Sequence, residues 1–227
     1  LEQAEAERRE KLKQIETIRK RRRFIACEKY RIIGIKSNGT LKAVGDYTDS
    51  ELRPILYRWS DIVAVSCGES HTVGLKSDGT VVAVGNNEDG QCNVKKWSDI
   101  KEIECGSKRT VGLKSDGTVV ATGNNEYGAC NVAHLTDVVA IACGYYQTAA
   151  LKSSGKVALV GEDPFEFFYT TKGYYKDKDN VKSWSDIAAI AFGSSHIVGL
   201  KANGTVVAAG DNRDGQCNVS EWSDIVS

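Results

Sequence analysis

Residues 62–99 read IVAVSCGESHTVGLKSDGTVVAVGNNEDGQCNVKKWSD, and residues 100–137 read IKEIECGSKRTVGLKSDGTVVATGNNEYGACNVAHLTD, which is the same sequence with few changes. Two further copies begin at Val138 and Ile187, and a looser copy begins at Phe24. Equivalent cysteines stand 38 residues apart, at Cys67, Cys105 and Cys143. An internal period of about 40 residues predicts a repeat architecture, in which each unit buries its apolar face against its neighbours.

Each copy contains three short apolar runs that are typical of β-strands. In residues 62–99 they are IVAVSC, TVGL and TVVAVG, which are rich in β-branched residues and bounded by Gly, Ser, Asn and Asp. The Ser-Asp-Gly between the second and third runs favours a tight hairpin, because its glycine adopts positive φ. Small antiparallel sheets protect their edges by packing radially. The sequence therefore predicts an all-β fold, a β-propeller built from about five 38-residue repeats, preceded by an N-terminal α-helix.

The stretch at 67–91, CGESHTVGLKSDGTVVAVGNNEDGQ, carries a family resemblance. It resembles the regulator of chromosome condensation repeat, in the compact version with short loops, and the resemblance extends over residues 24–227. It implies a β-propeller, which in that family usually has seven blades, whereas this chain has five repeats. The family's namesake acts on a small GTPase through a wedge that protrudes from one blade. The resemblance therefore implies, as an alternative function, a guanine nucleotide exchange factor-like regulator of a small GTPase.

The repeat spacing predicts the division of the chain. The predicted repeats are 24–61, 62–99, 100–137, 138–186 and 187–224, with a stub of a further repeat at 225–227. Residues 1–23 contain no Gly or Pro and are rich in Glu, Lys, Arg and Ala, which favour helix. We interpret residues 1–23 as a charged helix, the end of an upstream helical or coiled-coil region. This helix is a candidate for helix-mediated association with a partner.

The fourth repeat is 49 residues long, 11 more than the 38 of its neighbours, and the extra residues lie in the run EDPFEFFYTTKGYYKDKD at 162–179. Six aromatic residues of this insertion are the candidate partner-binding residues: Phe165, Phe167, Phe168, Tyr169, Tyr174 and Tyr175. Loops on a rigid scaffold often carry function, and aromatic residues are enriched at interaction hot spots. The alternative is that the insertion folds back and covers a sheet edge, and the alternation of Phe165, Phe167 and Tyr169 suits an extra strand.

Composition limits the classes of partner. No run of 18 apolar residues exists, so the sequence predicts no membrane span. Residues 1–23 contain nine basic and five acidic residues, so the remaining chain has 21 basic and 25 acidic residues and a net charge of −4. This charge disfavours nucleic acid as a ligand of the propeller, since affinity for phosphates depends on cationic contacts. The seven cysteines occupy equivalent repeat positions that blades hold apart, which favours reduced thiols and a cytoplasmic location.

No group of residues assembles a catalytic or metal site in the sequence. Ser70-His71 and Ser195-His196 place a hydroxyl beside an imidazole, but adjacent residues of a strand point to opposite faces. The cysteines lie on a ring of blades rather than around one point, as zinc would require. We therefore predict a non-catalytic protein-interaction module, without cofactor, that presents a propeller face and the aromatic insertion loop to a protein partner. A lectin-like carbohydrate-binding propeller is a further alternative, which would need aromatic and Asn or Asp side chains clustered on one face.

Overall fold

The computed structural model describes residues 24–28, 31–45, 52–162, 175–176 and 178–226. These residues form five antiparallel sheets, the blades, one for each repeat. The strands are β1 (Ile25–Glu28), β2 (Arg31–Ile35) and β3 (Leu41–Gly45) in blade 1; β4 (Ile62–Cys67), β5 (His71–Lys76) and β6 (Val81–Gly85) in blade 2; β7 (Ile100–Gly106), β8 (Arg109–Lys114) and β9 (Val119–Gly123) in blade 3; β10 (Val138–Cys143), β11 (Thr148–Lys152) and β12 (Val157–Val160) in blade 4; and β14 (Ile187–Phe192), β15 (His196–Lys201) and β16 (Val206–Asp211) in blade 5. The predicted all-β propeller fold is confirmed for these residues, whereas the predicted helix at 1–23 lies outside them.

Three short elements lie in the connections between blades. A one-turn helix, α1 (Leu52–Leu56), follows blade 1, and a 3₁₀ helix (Lys178–Ser183) precedes blade 5. The strand β13 (Tyr175–Lys176) pairs with β16, so the sheet of blade 5 has four strands. A short extra strand is therefore present at the end of the insertion, whereas the alternating Phe165, Phe167 and Tyr169 lie outside the described residues.

Within each blade the first strand pairs with the second and the second with the third. Val73 of β5, for example, lies between Ser66 of β4 and Ala83 of β6. The predicted hairpin joins β5 to β6, and Gly79 has a φ of 81° there. Positive φ is costly for residues with a Cβ, so glycine suits this turn. The first strand of the next blade begins against this turn, since the amide of Ile100 donates to the carbonyl of Gly79 at 3.1 Å.

Consecutive blades pack face to face, and a Trp–Gly pair recurs at their interfaces. Trp97 lies so close to Gly112 of blade 3 that a Cβ on that glycine would come within 2.8 Å of Trp97 Cζ3. Trp59 with Gly74 and Trp184 with Gly199 repeat this arrangement. Between blades 3 and 4 the pair is Leu135 and Ala150, which share one buried cluster. The smaller side chain of Leu135 therefore stands opposite the larger alanine, and the periodic tryptophans are packing residues between blades.

Candidate functional site

The blades have two different ends. The hairpins and the starts of the first strands form one end, and the connections that follow the first and third strands form the other, which we call the loop end. The loop end comprises residues 68–70 and 86–93 in blade 2, and 106–108 and 124–131 in blade 3. It continues with residues 144–146 and 161–162 in blade 4, and 193–195 and 212–218 in blade 5.

Buried polar side chains at the start of each second strand fix this end. The Arg31 guanidinium of blade 1 donates to the carbonyls of Gly68 (2.7 Å) and Glu69 (3.0 Å) in blade 2. Arg109 of blade 3 donates to the carbonyls of Gly144 (2.9 Å) and Tyr145 (2.8 Å) in blade 4. These bonds satisfy buried carbonyls and hold each loop against the preceding blade, so the loop end is rigid around its centre.

His71 occupies the same position in blade 2 and is fully buried. Its Nε2 lies 3.0 Å from the hydroxyl of Thr110, which itself donates to the carbonyl of Gln91 at 2.7 Å. Because that hydroxyl proton is used, Nε2 of His71 carries the hydrogen that it donates to Thr110. Burial and the charge of Arg31 lower the pKa of His71 to about 4. His71 is therefore a structural link between blades 2 and 3 rather than a base beside a nucleophilic Ser70.

Three tyrosines, Tyr127, Tyr145 and Tyr146, form one cluster at the loop end, and with Glu69 we call them the tyrosine surface. The ring centroids of Tyr145 and Tyr146 are 4.6 Å apart, and those of Tyr127 and Tyr146 are 5.1 Å apart in an edge-to-face arrangement. Such offset and edge-to-face pairs are the favoured aromatic geometries. Tyr145 remains 40% exposed. The cluster therefore presents an aromatic surface to solvent in a fixed geometry.

The carboxylate of Glu69 connects three blades within this surface. Its Oε2 accepts from the hydroxyl of Ser107 in blade 3 (2.6 Å) and from the hydroxyl of Tyr145 in blade 4 (3.3 Å). The amide of Glu69 also donates to the carbonyl of Ser107 at 3.1 Å, and the amide of Tyr145 donates to Ser194 of blade 5 at 2.8 Å. The tyrosine surface is thus held by contacts from blades 2 to 5.

The insertion leaves the fold beside the tyrosine surface. The amide of Glu162, its first residue, donates to the carbonyl of Tyr127 at 2.8 Å. Of the six predicted partner-binding residues, Phe165, Phe167, Phe168, Tyr169 and Tyr174 lie outside the described residues. The backbone of Tyr175 lies in β13 and pairs with Asp211. Their role in binding therefore stays a prediction.

Sequence reasoning overlooked the tyrosine surface, although a signal was present. Where blade 4 has Tyr145-Tyr146, blades 2, 3 and 5 carry Glu69-Ser70, Ser107-Lys108 and Ser194-Ser195, and the first repeat carries Lys29-Tyr30. Tyr127 likewise replaces an Asp of the other repeats. Because these replacements fall in neighbouring blades, a search for departures from the repeat at one end would have found them.

Asn and Asp side chains of the loop end are used within their own turns. Asn86 Oδ1 accepts from the amide of Glu88 (3.2 Å) and the side chain of Gln91 (2.7 Å). Asn87 Oδ1 accepts from the amide of Cys92 at 2.7 Å, and the loop of blade 3 repeats this pattern. These residues therefore cap their own turns.

Metal and membrane sites were also sought among the described residues. There, no three His, Cys, Asp or Glu side chains converge on a point that could hold a metal ion. All seven cysteines fall within the described ranges, and none is joined in a disulfide. None of the helices in the described ranges has the length and apolar character needed to cross a bilayer.

Comparison with known proteins agrees with this architecture. The family model described as the regulator of chromosome condensation (RCC1) repeat matches residues 62–91, 100–129 and 187–216. No curated protein sequence matches the chain.

Several solved structures are similar to this chain. Prp20p from Saccharomyces cerevisiae has a TM-score of 0.62 at 21% identity, with 88% of this chain and 61% of Prp20p covered. Human WBSCR16 has a TM-score of 0.63 at 17% identity, with 88% and 64% covered. The ectodomain of the Arabidopsis thaliana receptor kinase ACR4 has a TM-score of 0.61 at 14% identity, with 82% and 65% covered. The chain thus spans less than two thirds of the length of these proteins, and at such identities the similarity shows the fold alone. Blades 2, 3 and 5, which the repeat model matches, are therefore repeats of the regulator of chromosome condensation type.

Proposed function

We propose that this chain is a non-catalytic protein-interaction module that binds its partner at the loop end, through the tyrosine surface together with the aromatic insertion. One observation carries the proposal: the insertion begins at Glu162, whose amide is bonded to Tyr127 of the tyrosine surface. Aromatic residues at both places would form one continuous surface. The partner-binding residues of the insertion remain those predicted from the sequence, Phe165, Phe167, Phe168, Tyr169, Tyr174 and Tyr175.

The physical character of the tyrosine surface supports this proposal. Tyrosine has few rotatable bonds, so a tyrosine held in place loses little conformational entropy when a partner binds. The Tyr145 backbone is fixed by Arg109, and its hydroxyl lies 3.3 Å from Glu69. Tyr is also among the residue types enriched at interaction hot spots. Prp20p, whose fold is similar, is described by its binding properties to Gsp1p and histones, and this supports a protein rather than a small molecule as the partner here.

Affinity capture with the whole chain tests the proposal. We expect that proteins captured by the wild type are lost from a Tyr145→Ala/Tyr146→Ala variant and from a variant lacking residues 163–172. Tyr57→Ala is the matched control, because Tyr57 is also half exposed but lies in the connection between blades 1 and 2. Partners that all survive both changes, or that are lost equally with Tyr57→Ala, would refute the proposal.

The same proposal predicts how substitutions in the insertion change the free energy of unfolding. If the insertion is a binding loop rather than an edge cover, Phe167→Ala and Phe168→Ala change the free energy of unfolding by about 0.5 kcal/mol or less. If it covers an edge, each change costs about 3–5 kcal/mol. Thermal melts of the two variants separate these readings.

A second candidate function is regulation of a small GTPase. The observation that favours it is in the sequence: the 11 extra residues of the insertion occur in a single repeat, as the wedge of the family's namesake belongs to a single blade. The repeat family and the similarity to Prp20p support a regulator of this kind. Release of a fluorescent GDP analogue from a panel of small GTPases tests it, and exchange rates that the chain leaves unchanged would exclude it. The carbohydrate-binding alternative is not favoured, since the loop amides that would contact a sugar are used within their own turns.

Two further expectations belong to this proposal. We expect a cytoplasmic location, because the seven cysteines fall into two sets of repeat-equivalent positions and all are free thiols. We also expect residues 1–23 to associate as a helix with a second partner or an upstream segment, because good helix formers there include the apolar stripe Leu12, Ile15 and Ile18.

A further inference from the structure

Among the described residues of the loop end, the exposed cationic side chains form ion pairs with aspartates. Lys108 Nζ lies 3.7 Å from Asp89 Oδ2, and Arg213 Nη2 lies 2.8 Å from Asp211 Oδ2. The other two arginines of this end, Arg31 and Arg109, are buried and donate to carbonyl groups of the following blades. The cationic groups described at this end are thus engaged within the protein.

The loop end also carries an excess of carboxylates. Glu69, Glu88, Glu126 and Glu162 are exposed there. Glu69 and Glu162 are bonded directly to members of the tyrosine surface. Negative charge therefore surrounds an exposed aromatic cluster.

Aromatic faces and carboxylates attract the same kind of group. The face of a tyrosine ring carries partial negative charge and attracts cations, and guanidinium groups use this interaction more often than ammonium groups do. A guanidinium is also planar, so it stacks on the ring while its N–H groups reach a carboxylate. Tyr145 offers an aromatic face, and the Glu69 carboxylate lies 3.3 Å from its hydroxyl. One guanidinium can therefore contact both groups.

From this charge complementarity we infer that the tyrosine surface binds an arginine-bearing, cationic segment of a partner protein. The inference rests on the proposed function and names the chemistry of the partner. A phosphate-rich partner does not fit, because the carboxylates would repel it and the cations of the described loop end are already engaged. The chain's own basic run at 19–23 is a competing occupant, which the test below separates from a partner.

The test measures binding of short fluorescent peptides to the whole chain by anisotropy. The probes are an Arg-Gly-Ser repeat peptide, a Lys-Gly-Ser peptide and a Glu-Gly-Ser peptide of equal length. We expect the Arg peptide to bind most tightly, the Lys peptide more weakly and the Glu peptide not at all. Binding should fall as salt rises, because the screening length shrinks from about 8 Å at physiological ionic strength to about 3 Å at 1 M.

Two variants identify the surface. Tyr145→Ala removes the exposed ring and should weaken Arg-peptide binding about five-fold, the order expected for one cation–π contact. Glu69→Gln keeps an oxygen that accepts from Ser107 but removes the charge, and should weaken binding and its salt dependence together. Tyr57→Ala, outside the tyrosine surface, should change nothing. Equal affinity for the Arg and Glu peptides, no binding of the Arg peptide, or equal losses in Tyr57→Ala would overturn the inference.

A final arm separates the sources of the cationic segment. If a variant with serine at residues 19–23 binds the Arg peptide about ten-fold more tightly than the wild type does, then the chain's own segment occupies the surface, and the assignment to a partner is overturned. Competition distinguishes this inference from the proposed function. A captured partner that requires Tyr145 but is not displaced by the Arg peptide would leave the proposed function standing and overturn the cationic chemistry alone.

Discussion

The inner blade interfaces and the outward faces of the first and last blades are made of the same residue types, but they differ in burial. Ile197 of blade 5 faces blade 4 and is 0% exposed, whereas Ile32 at the same repeat position in blade 1 is 51% exposed. Trp184, which packs on blade 5, is 4% exposed, and its counterpart Trp222 is 53% exposed. Each repeat therefore encodes a face for a neighbouring blade, and the neighbour rather than the residue type supplies the burial.

The largest difference between the two regions is expected at the tryptophans. Trp184→Ala should lower the free energy of unfolding by about 3–5 kcal/mol, because it empties a buried site against Gly199. Trp222→Ala should lower it by about 0.5 kcal/mol or less. Urea denaturation followed by far-UV circular dichroism measures both. Equal losses in the two variants would show that Trp222 is buried as deeply as Trp184 in solution.

The buried His71 of blade 2 should make the free energy of unfolding depend on pH. Burial lowers the pKa of His71 from 6.5 to about 4, so between these values the unfolded chain binds a proton that the folded chain does not. The stability that neutral His71 contributes is therefore fully present above pH 6.5 and is lost as the pH falls to about 4. The loss is about 3 kcal/mol, from about 1.4 kcal/mol per pKa unit.

The variant His71→Gln isolates this contribution. Glutamine is the residue that blade 4 uses at the same position, as Gln147, and it carries no charge at either pH. Because carboxylates also titrate on acidification, the quantity to measure is the stability difference between wild type and variant at pH 7 and at pH 4. We expect that difference to shrink as the pH falls. A constant difference would contradict the lowered pKa of His71.

A smaller effect is expected at the glycines that face the tryptophans. Gly112→Ala places a Cβ 2.8 Å from Trp97 Cζ3 and should cost about 1–3 kcal/mol. Gly34→Ala, at the same position in blade 1, meets its nearest atom at 4.0 Å and should change stability by about 0.5 kcal/mol or less. Chemical denaturation of both variants measures this difference between an inner and an outward face.

A double-mutant cycle tests the physical cause. The natural pair Leu135 and Ala150 indicates that a smaller wedge accommodates alanine. Gly112→Ala combined with Trp97→Leu should therefore lose less stability than the sum of the two single changes. Strict additivity would show that the close contact between Trp97 and Gly112 does not cause the loss.

Most of the fold was predictable because the sequence pattern of one blade recurs in every repeat. Hairpin glycines such as Gly79 and packing residues such as Trp97 recur with the period, so each copy supports the interpretation of the others. The left-handed backbone of Asp99, with a φ of 60°, and of the equivalent aspartate at every blade junction was not predicted. Local sequence did not indicate it, since the conformation arises where the chain turns from one blade to the next.

The candidate site was less predictable for the opposite reason. Tyr127 and the pair Tyr145-Tyr146 occur once each and are separated in sequence, so periodicity does not connect them. Their contact depends on how blades 3 and 4 lie against each other, which the repeat pattern predicts only in general terms. The insertion was found from the sequence alone, because it breaks the period.

The last test compares the two regions by the rates at which their cysteines react, rather than by the free energy of unfolding. Cys27 of blade 1 is exposed, whereas its repeat equivalents Cys67, Cys105 and Cys143 are half-buried. Burial raises the pKa of Cys105 well above its ordinary value and that of Cys143 to about 12, so at pH 8 they hold almost no reactive thiolate. We expect one fast-reacting thiol in the native protein at pH 8, followed by Ellman's reagent, and its loss in Cys27→Ser. Cys143→Ser is the matched control and should keep the fast phase. A fast phase that survives Cys27→Ser would show that the outward face of blade 1 is covered in solution. A fast phase that disappears in Cys143→Ser would show that the inner face is open.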